Sequence, residues 1–157
     1  MRTDARRLGG TAWHAWRAFV GGIIYLGAAV FNAAYTLPLS DEPDTFAGYA
    51  DGAWFGFLTD FIRDVFEPNG TVFMVAVIVF EIAVGLLILS RDRYVDWGVL
   101  ASLAWVVAIM PFLAWPYVLV NVGLFVVQGA VLLRRYDTTI WGLLRSPARV
   151  SDIAQPR

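Results

Sequence analysis

The chain has 157 residues, of which 59% are hydrophobic and 16% charged, and its formal net charge is −1. A soluble monomer of this size could not bury so much apolar surface, so the composition indicates a membrane protein. Cysteine is absent and His14 is the only histidine, which excludes disulfides, cysteine metal sites, iron–sulfur clusters and a haem held by two histidines. The charge balance argues against nucleic acid as a partner.

Four apolar runs approach the roughly 20 residues that a helix needs to cross a bilayer. The last two divide one uncharged stretch at a turn near Pro111 and Pro116, because prolines withdraw backbone donors. The sequence therefore predicts an all-α, polytopic membrane protein with four transmembrane helices in a bundle, forming a single domain. A cleaved signal peptide is the competing interpretation of the first run, but that run is long for one. The predicted spans are residues 18–37, 71–90, 97–112 and 117–133.

The arginines predict the orientation of the spans. Eleven of the twelve arginines lie before the first span, between the second and third, or after the fourth. The loop 38–70 contains the remaining one, Arg63, and seven acidic residues. Because positively charged flanks remain on the cytoplasmic side, we expect a multi-pass protein of the cell membrane with both termini in the cytoplasm. Residues 134–157 then form a cytoplasmic tail, and the acidic loop faces outward.

Two shorter helices are predicted outside the spans. In residues 53–67, apolar side chains recur at helical spacing, which predicts an amphipathic helix at the outer surface that ends at residues 68–70. Its role is either to cover the bundle mouth or to provide a docking face or lid. After the fourth span, residues 138–145 fit one or two interfacial helical turns capped by a threonine. His14, beside Trp13 and Trp16, is expected to be an interfacial anchor.

Glu81 is the residue that most needs an explanation, because it lies near the middle of the second predicted span. An ionised carboxylate at that depth costs about 2.5–3.5 kcal/mol on insertion scales. We therefore expect Glu81 to face the bundle interior and to hold its proton near neutral pH unless a positive group or water reaches it. It is either a proton-handling or ligand-binding group or a protonated acid that bridges two helices.

Other polar residues are candidates to meet Glu81 inside the bundle. Tyr25 and Asn32 are seven residues apart on one face of the first span, as Asn121 and Gln128 are on the fourth, and Ser102 lies in the inner half of the third. Each of these side chains either contributes to a polar pocket or forms a structural interhelical hydrogen bond. The small residue Gly85, one turn from Glu81, favours close approach of a neighbouring helix. No metal-ligand cluster or catalytic triad is apparent.

The order of these elements, together with the run Phe80-Glu81-Ile82-Ala83-Val84-Gly85-Leu86-Leu87, resembles the DoxX-like family of small four-helix membrane proteins. The resemblance covers residues 17–135. It implies an integral membrane component associated with quinone-linked redox systems. By position, Glu81 is the family-like acid, and Asn32 stands approximately where family members often carry a lysine.

Three functions are compatible with these observations. The first is an accessory subunit of a membrane redox complex, not catalytic on its own and without an intrinsic cofactor, whose polar pocket contacts a quinone or lipid. The second is a small oligomeric transporter or proton pathway that uses Glu81. The third is a structural assembly subunit whose polar residues fix helix register. The expected partners are the lipid bilayer and either other membrane subunits or further copies of this chain.

Overall fold

The computed structural model describes residues 13–133 and 135–145, and every regular element within them is helical. Four helical segments are long and apolar enough to cross a membrane: Trp13–Leu39, Gly56–Leu89, Arg93–Phe112 and Trp115–Leu132. These segments confirm the predicted all-α class and the number of apolar spans. The predicted tail beyond residue 145 lies outside the described residues.

Seven helices follow one another along the described chain. We number them α1 (Trp13–Leu39), α2 (Ala47–Gly52), α3 (Gly56–Phe61), α4 (Gly70–Leu89), α5 (Arg93–Ile109), α6 (Trp115–Leu132) and α7 (Ile140–Arg145). The backbone of α1 includes two π-helical stretches, Phe19–Leu26 and Asn32–Thr36. Short 3-10 turns, Glu67–Asn69 and Met110–Phe112, precede α4 and follow α5.

Helix α4 occupies a central place, because it packs against α1 on one side and α5 on another, while α5 packs in turn against α6. Buried side chains of α1, α4, α5, α6 and the segment after α6 form one apolar cluster toward the end where α1 begins and α6 ends. The cluster comprises Val20, Tyr25, Val84, Ile88, Val95, Val99, Val131 and Tyr136.

Glycines allow these helices to approach closely. A Cβ on Gly85 would lie 2.9 Å from the Gly21 carbonyl oxygen and 2.7 Å from Leu26 Cδ2, and a Cβ on Gly21 would lie 3.1 Å from the Gly85 oxygen. Gly98 has the same role between α5 and α4, since its Cβ would lie 2.9 Å from the backbone nitrogen of Ile88. Gly85 was expected to favour a close approach, whereas Gly21 and Gly98 were not singled out by the sequence.

The segment between α1 and α4, which the sequence predicts to face outward and which we call the outer segment, differs from the prediction in its boundaries. The helix expected over residues 53–67 begins three residues late, as α3 at Gly56, and continues through a π-helical turn, Ile62–Phe66; the separate helix α2, which ends at Gly52, precedes it. The expected end at residues 68–70 is not present, because the chain continues through the 3-10 turn directly into α4. Proline is tolerated at the first position of a helical turn, and Asn69 Nδ2 donates to the Val65 carbonyl at 2.8 Å.

The outer segment is attached to the ends of the long helices. Trp54 donates through its backbone nitrogen to the Pro111 carbonyl at 2.9 Å and through Nε1 to the Leu113 carbonyl at 3.0 Å. Phe46, Ala50 and Ile62 form a second buried cluster with Met74 of α4. At the opposite end of the chain, Gly142 donates its backbone N–H to Thr139 Oγ1 at 2.9 Å, so the predicted threonine cap of the last helix is confirmed.

Replacing Gly85 with alanine is expected to destabilise the protein, because the added Cβ meets Leu26 and the Gly21 backbone. Overpacking of this kind costs about 1–3 kcal/mol. Gly123→Ala is the matched control, since nothing lies within 4 Å of its added Cβ and alanine is the better helix former. Thermal unfolding in detergent should give a lower Tm for Gly85→Ala and an unchanged or higher Tm for Gly123→Ala. Equal Tm values for the two variants would contradict the close α1–α4 contact.

Candidate functional site

Glu81 lies near the middle of α4 with its side chain turned into the protein, where only 7% of its surface is exposed. Asn32 of α1 donates its Nδ2 to both carboxyl oxygens, at 3.0 Å each. No arginine forms an ion pair with Glu81 among the described residues. An amide donor, and not a positive charge, therefore satisfies the buried acid, in agreement with the inward orientation that its depth requires.

The Asn32 amide is itself held in place by its own helix. Thr36 Oγ1 donates to Asn32 Oδ1 at 2.9 Å, which directs the amide nitrogen toward Glu81. Asn32 also begins the π-helical stretch Asn32–Thr36. Such wider turns change the direction of nearby side chains and are frequent at functional sites. The α1 backbone and the Thr36 hydroxyl together orient the donor that meets the carboxyl.

A second polar cluster lies nearer the other end of α1. Tyr25 donates its hydroxyl to Ser102 Oγ at 2.7 Å, and Ser102 Oγ donates in turn to Gln128 Oε1. All three side chains are buried. The cluster joins α1, α5 and α6 by side-chain hydrogen bonds, so Tyr25, Ser102 and Gln128 meet as a group.

Tyr49 of α2 is a tyrosine outside the long helices whose hydroxyl is affected by the charge of Glu81. Burial raises the pKa of the Tyr49 hydroxyl above its ordinary value, and the charges of Tyr117 and Glu81 act in the same direction. Tyr49 therefore keeps its proton at neutral pH. The sequence alone carried no signal for this residue, because Tyr49 is distant from every span.

Among the predicted site residues, Asn121 forms no side-chain hydrogen bond with Glu81 or with the cluster of Tyr25, Ser102 and Gln128. Its Nδ2 donates to the Tyr117 carbonyl at 2.9 Å, one turn earlier on the same helix. An amide seven residues from Gln128 was expected to share its inward face, but a bond to the preceding turn of α6 satisfies Asn121 locally. Of the predicted partners, Asn32 alone donates to Glu81.

The outer end of α1 has a further set of hydroxyl contacts. Ser40 Oγ lies 2.9 Å from Thr71 Oγ1, and the Thr71 hydroxyl donates to Asp41 Oδ1 at 2.6 Å. A Cβ on Gly70 would clash with the Ser40 carbonyl oxygen, so glycine is required where α4 starts beside this cluster. Polar side chains thus follow one another along α1 from Tyr25 through Asn32 to Thr36, and Ser40 lies directly after the end of this helix.

The chemistry available at this site is hydrogen bonding and proton exchange. No group of three or more histidine, aspartate or glutamate side chains lies close enough to hold a metal ion within the part of the chain that is described. A carboxyl can bind an oxygen-containing ligand in either protonation state, since it accepts when ionised and both donates and accepts when protonated.

The chain matches no protein-family model, no curated protein and no solved structure. The resemblance to the DoxX-like family accordingly stays a prediction that rests on the residues around Glu81.

Replacing Asn32 with leucine is expected to lower the free energy of unfolding by about 1–2 kcal/mol, because the buried carboxyl loses its amide donor. The double variant Asn32→Leu with Glu81→Leu should recover much of this loss, since no polar group is then left unpaired. Asn121→Leu is the matched control, because its hydrogen bond stays within one helix. Chemical unfolding in detergent checks all three; a loss no greater for Asn32→Leu than for Asn121→Leu would contradict the pairing.

Proposed function

We propose that the chain is a multi-pass protein of the cell membrane, with four spans in a bundle, an amphipathic outer helix and both termini in the cytoplasm. Large apolar side chains cover the outer faces of the long helices; Val72, Val79, Leu119 and Val126 are each more than 60% exposed. Such surfaces suit a lipid environment. The distribution of arginines supports the orientation. Exposed Phe57 and buried Ile62, with Arg63 and Asp64 exposed, support an outer helix with apolar and charged faces.

Within that architecture, the function that the geometry supports best is an accessory subunit of a quinone-linked membrane redox complex, which holds a quinone or another oxygen-bearing lipid at Glu81. The observation that carries the proposal is the buried Glu81 carboxyl, bonded to Asn32 and to no cation in the described residues. A carboxyl with spare hydrogen-bonding capacity suits a quinone oxygen, and the surrounding helices supply the apolar contacts that the ring and tail need.

Purification from the native membrane in mild detergent tests this proposal. We expect the wild-type chain to co-purify with redox subunits and with a bound quinone or lipid, detected by native mass spectrometry and solvent extraction. In Glu81→Gln the amide cannot exchange a proton, and in Glu81→Leu the hydrogen bond is lost. One hydrogen bond of about 1–2 kcal/mol corresponds to about 5- to 30-fold in affinity, so Glu81→Leu should retain far less ligand while keeping its protein partners.

Asn121→Leu serves as the control in the same experiment, because it changes an amide that is bonded within α6. Its ligand content should equal that of the wild type. A wild-type preparation that contains only this chain, with neither partner nor bound quinone or lipid, would refute the accessory role. Glu81→Leu with unchanged ligand, partners and stability would favour a purely structural subunit.

A second function, a proton pathway or small oligomeric transporter, is favoured by the polar side chains that follow one another along α1. Hydroxyl and carboxyl groups pass protons readily. Gln128, however, is the last member of the cluster that it forms with Tyr25 and Ser102, and its amide does not pass protons as a hydroxyl or carboxyl does. A pathway through this chain therefore requires Glu81 as its titrating group and a route past Gln128.

Proton flux into liposomes separates this second function from the first. If the protein conducts protons, a potassium diffusion potential should change the internal pH of wild-type vesicles, in the direction set by the sign of the potential. Glu81→Gln should abolish this pH change, because the glutamine amide does not titrate. Asn121→Leu should conduct like the wild type. Flux that is absent from wild-type vesicles, or identical in Glu81→Gln vesicles, would exclude the pathway.

A further inference from the structure

Arg17 lies at the beginning of α1 with none of its surface exposed, which is unusual for a charged residue in this part of a membrane protein. Its guanidinium carbon lies 4.6 Å from the centre of the Tyr136 ring, and Nη2 donates to the Thr138 carbonyl at 2.9 Å. These contacts hold the segment after α6 against the start of α1. They use one of the donor nitrogens and leave the full positive charge without a counter-charge among the described residues.

Three buried nitrogen atoms of His14 and Arg17 lack a hydrogen-bond partner. Arg17 Nε and Nη1 and His14 Nδ1 have no hydrogen-bond partner in residues 13–133 and 135–145. His14 and Arg17 are three residues apart, so they lie on one face of α1. Both contact the same ring, since the His14 ring centre lies 5.7 Å from that of Tyr136. Buried polar atoms are nearly always satisfied, and a group of unsatisfied donors indicates an acceptor that binds them together.

The charge of this end of the protein indicates which acceptor fits. In the sequence, eleven arginines and five aspartates lie before the first span, between the second and third, or after the fourth, whereas the loop 38–70 has one arginine and seven acids. A guanidinium presents its donors in a planar fork that matches the oxygens of a phosphate group. Trp13, Trp16 and Tyr94 at the same end are residues typical of the headgroup level of a bilayer.

We propose that Arg17 and His14 form a phosphate-binding site at the arginine-rich end of the protein, in which Arg17 Nε and Nη1 and His14 Nδ1 donate to the oxygens of one phosphate group. The segment that contains Tyr136 and Thr138 covers the site and moves aside to admit the group. The phosphate belongs either to the headgroup of an anionic phospholipid or to free phosphate, which share this chemistry. The site is independent of Glu81 and of the function proposed for it.

Thermal stability in detergent tests the proposal and separates the two sources of phosphate. Wild-type protein is titrated with phosphatidylglycerol, with zwitterionic phosphatidylcholine and with inorganic phosphate against chloride at equal ionic strength. A ligand that binds only the folded state raises the Tm, by roughly 5 °C when it saturates the site. A rise with phosphatidylglycerol alone identifies a lipid headgroup, and a rise with inorganic phosphate identifies the free anion.

Two variants and a control assign the effect to this site. Arg17→Gln should abolish the ligand-dependent rise, and His14→Phe, which keeps a ring against Tyr136, should reduce it while Arg17 stays in place. Arg93→Gln removes an exposed arginine from the same end and should leave the rise unchanged. If Arg17→Gln does not fold, His14→Phe decides the question. No rise in the wild type, or an equal rise in His14→Phe and the wild type, would overturn the proposal.

Discussion

The interior of this protein is organised by one constraint: a carboxyl in the middle of an apolar helix has to find its hydrogen bonds within the protein, because lipid chains provide none. Glu81 meets this requirement through Asn32, whose short side chain reaches only if α1 and α4 are close. Gly85 lies on the next turn of α4, against Gly21 of α1. The glycine contact and the amide–carboxyl pair are therefore two parts of one arrangement: the first sets the distance between the helices and the second their rotation.

The remaining helices are joined to α1 by a different kind of polar contact. Tyr25, Ser102 and Gln128 are joined by hydrogen bonds across three helices, although Gln128 Nε2 has no hydrogen-bond partner among the described residues. The cluster contains no group that changes charge near neutral pH. Such a cluster contributes register and specificity more than net stability. The Asn32–Glu81 pair differs because a carboxyl retains accepting capacity after binding an amide and exchanges a proton readily. That chemical difference is why we propose a ligand or proton role for Glu81 and a structural role for the cluster of Tyr25, Ser102 and Gln128.

The sequence predicts the coarse fold and part of the site, and the reasons for its failures are physical. Span number and approximate length follow from hydropathy alone, and the inward orientation of Glu81 follows from the energy of burying a charge. The hydrogen-bond partner of Asn121 does not follow from the sequence. An amide on a helix can bond either to a neighbouring helix or to a carbonyl of its own helix, and only the rotation of α6 decides between them. The continuation of helix through Pro68 was also missed, since a proline at the start of a turn and one that ends a helix have the same local sequence. Neither π-helical stretch of α1 has a sequence signature that periodicity detects.

Arg17 shows that counting the arginines at each end of the spans does not reveal which of them are buried. The orientation argument treats it as one more positive residue flanking a span, equivalent to the arginines around it. In the structure it is buried beneath Tyr136, while Arg93 at the same end is exposed. A buried guanidinium costs free energy unless acceptors surround it, and the cation–π contact and one carbonyl satisfy only part of its donor fork. An exposed arginine would serve orientation equally well without that cost, so orientation alone does not account for an arginine at this position. A requirement to bind a negatively charged group does.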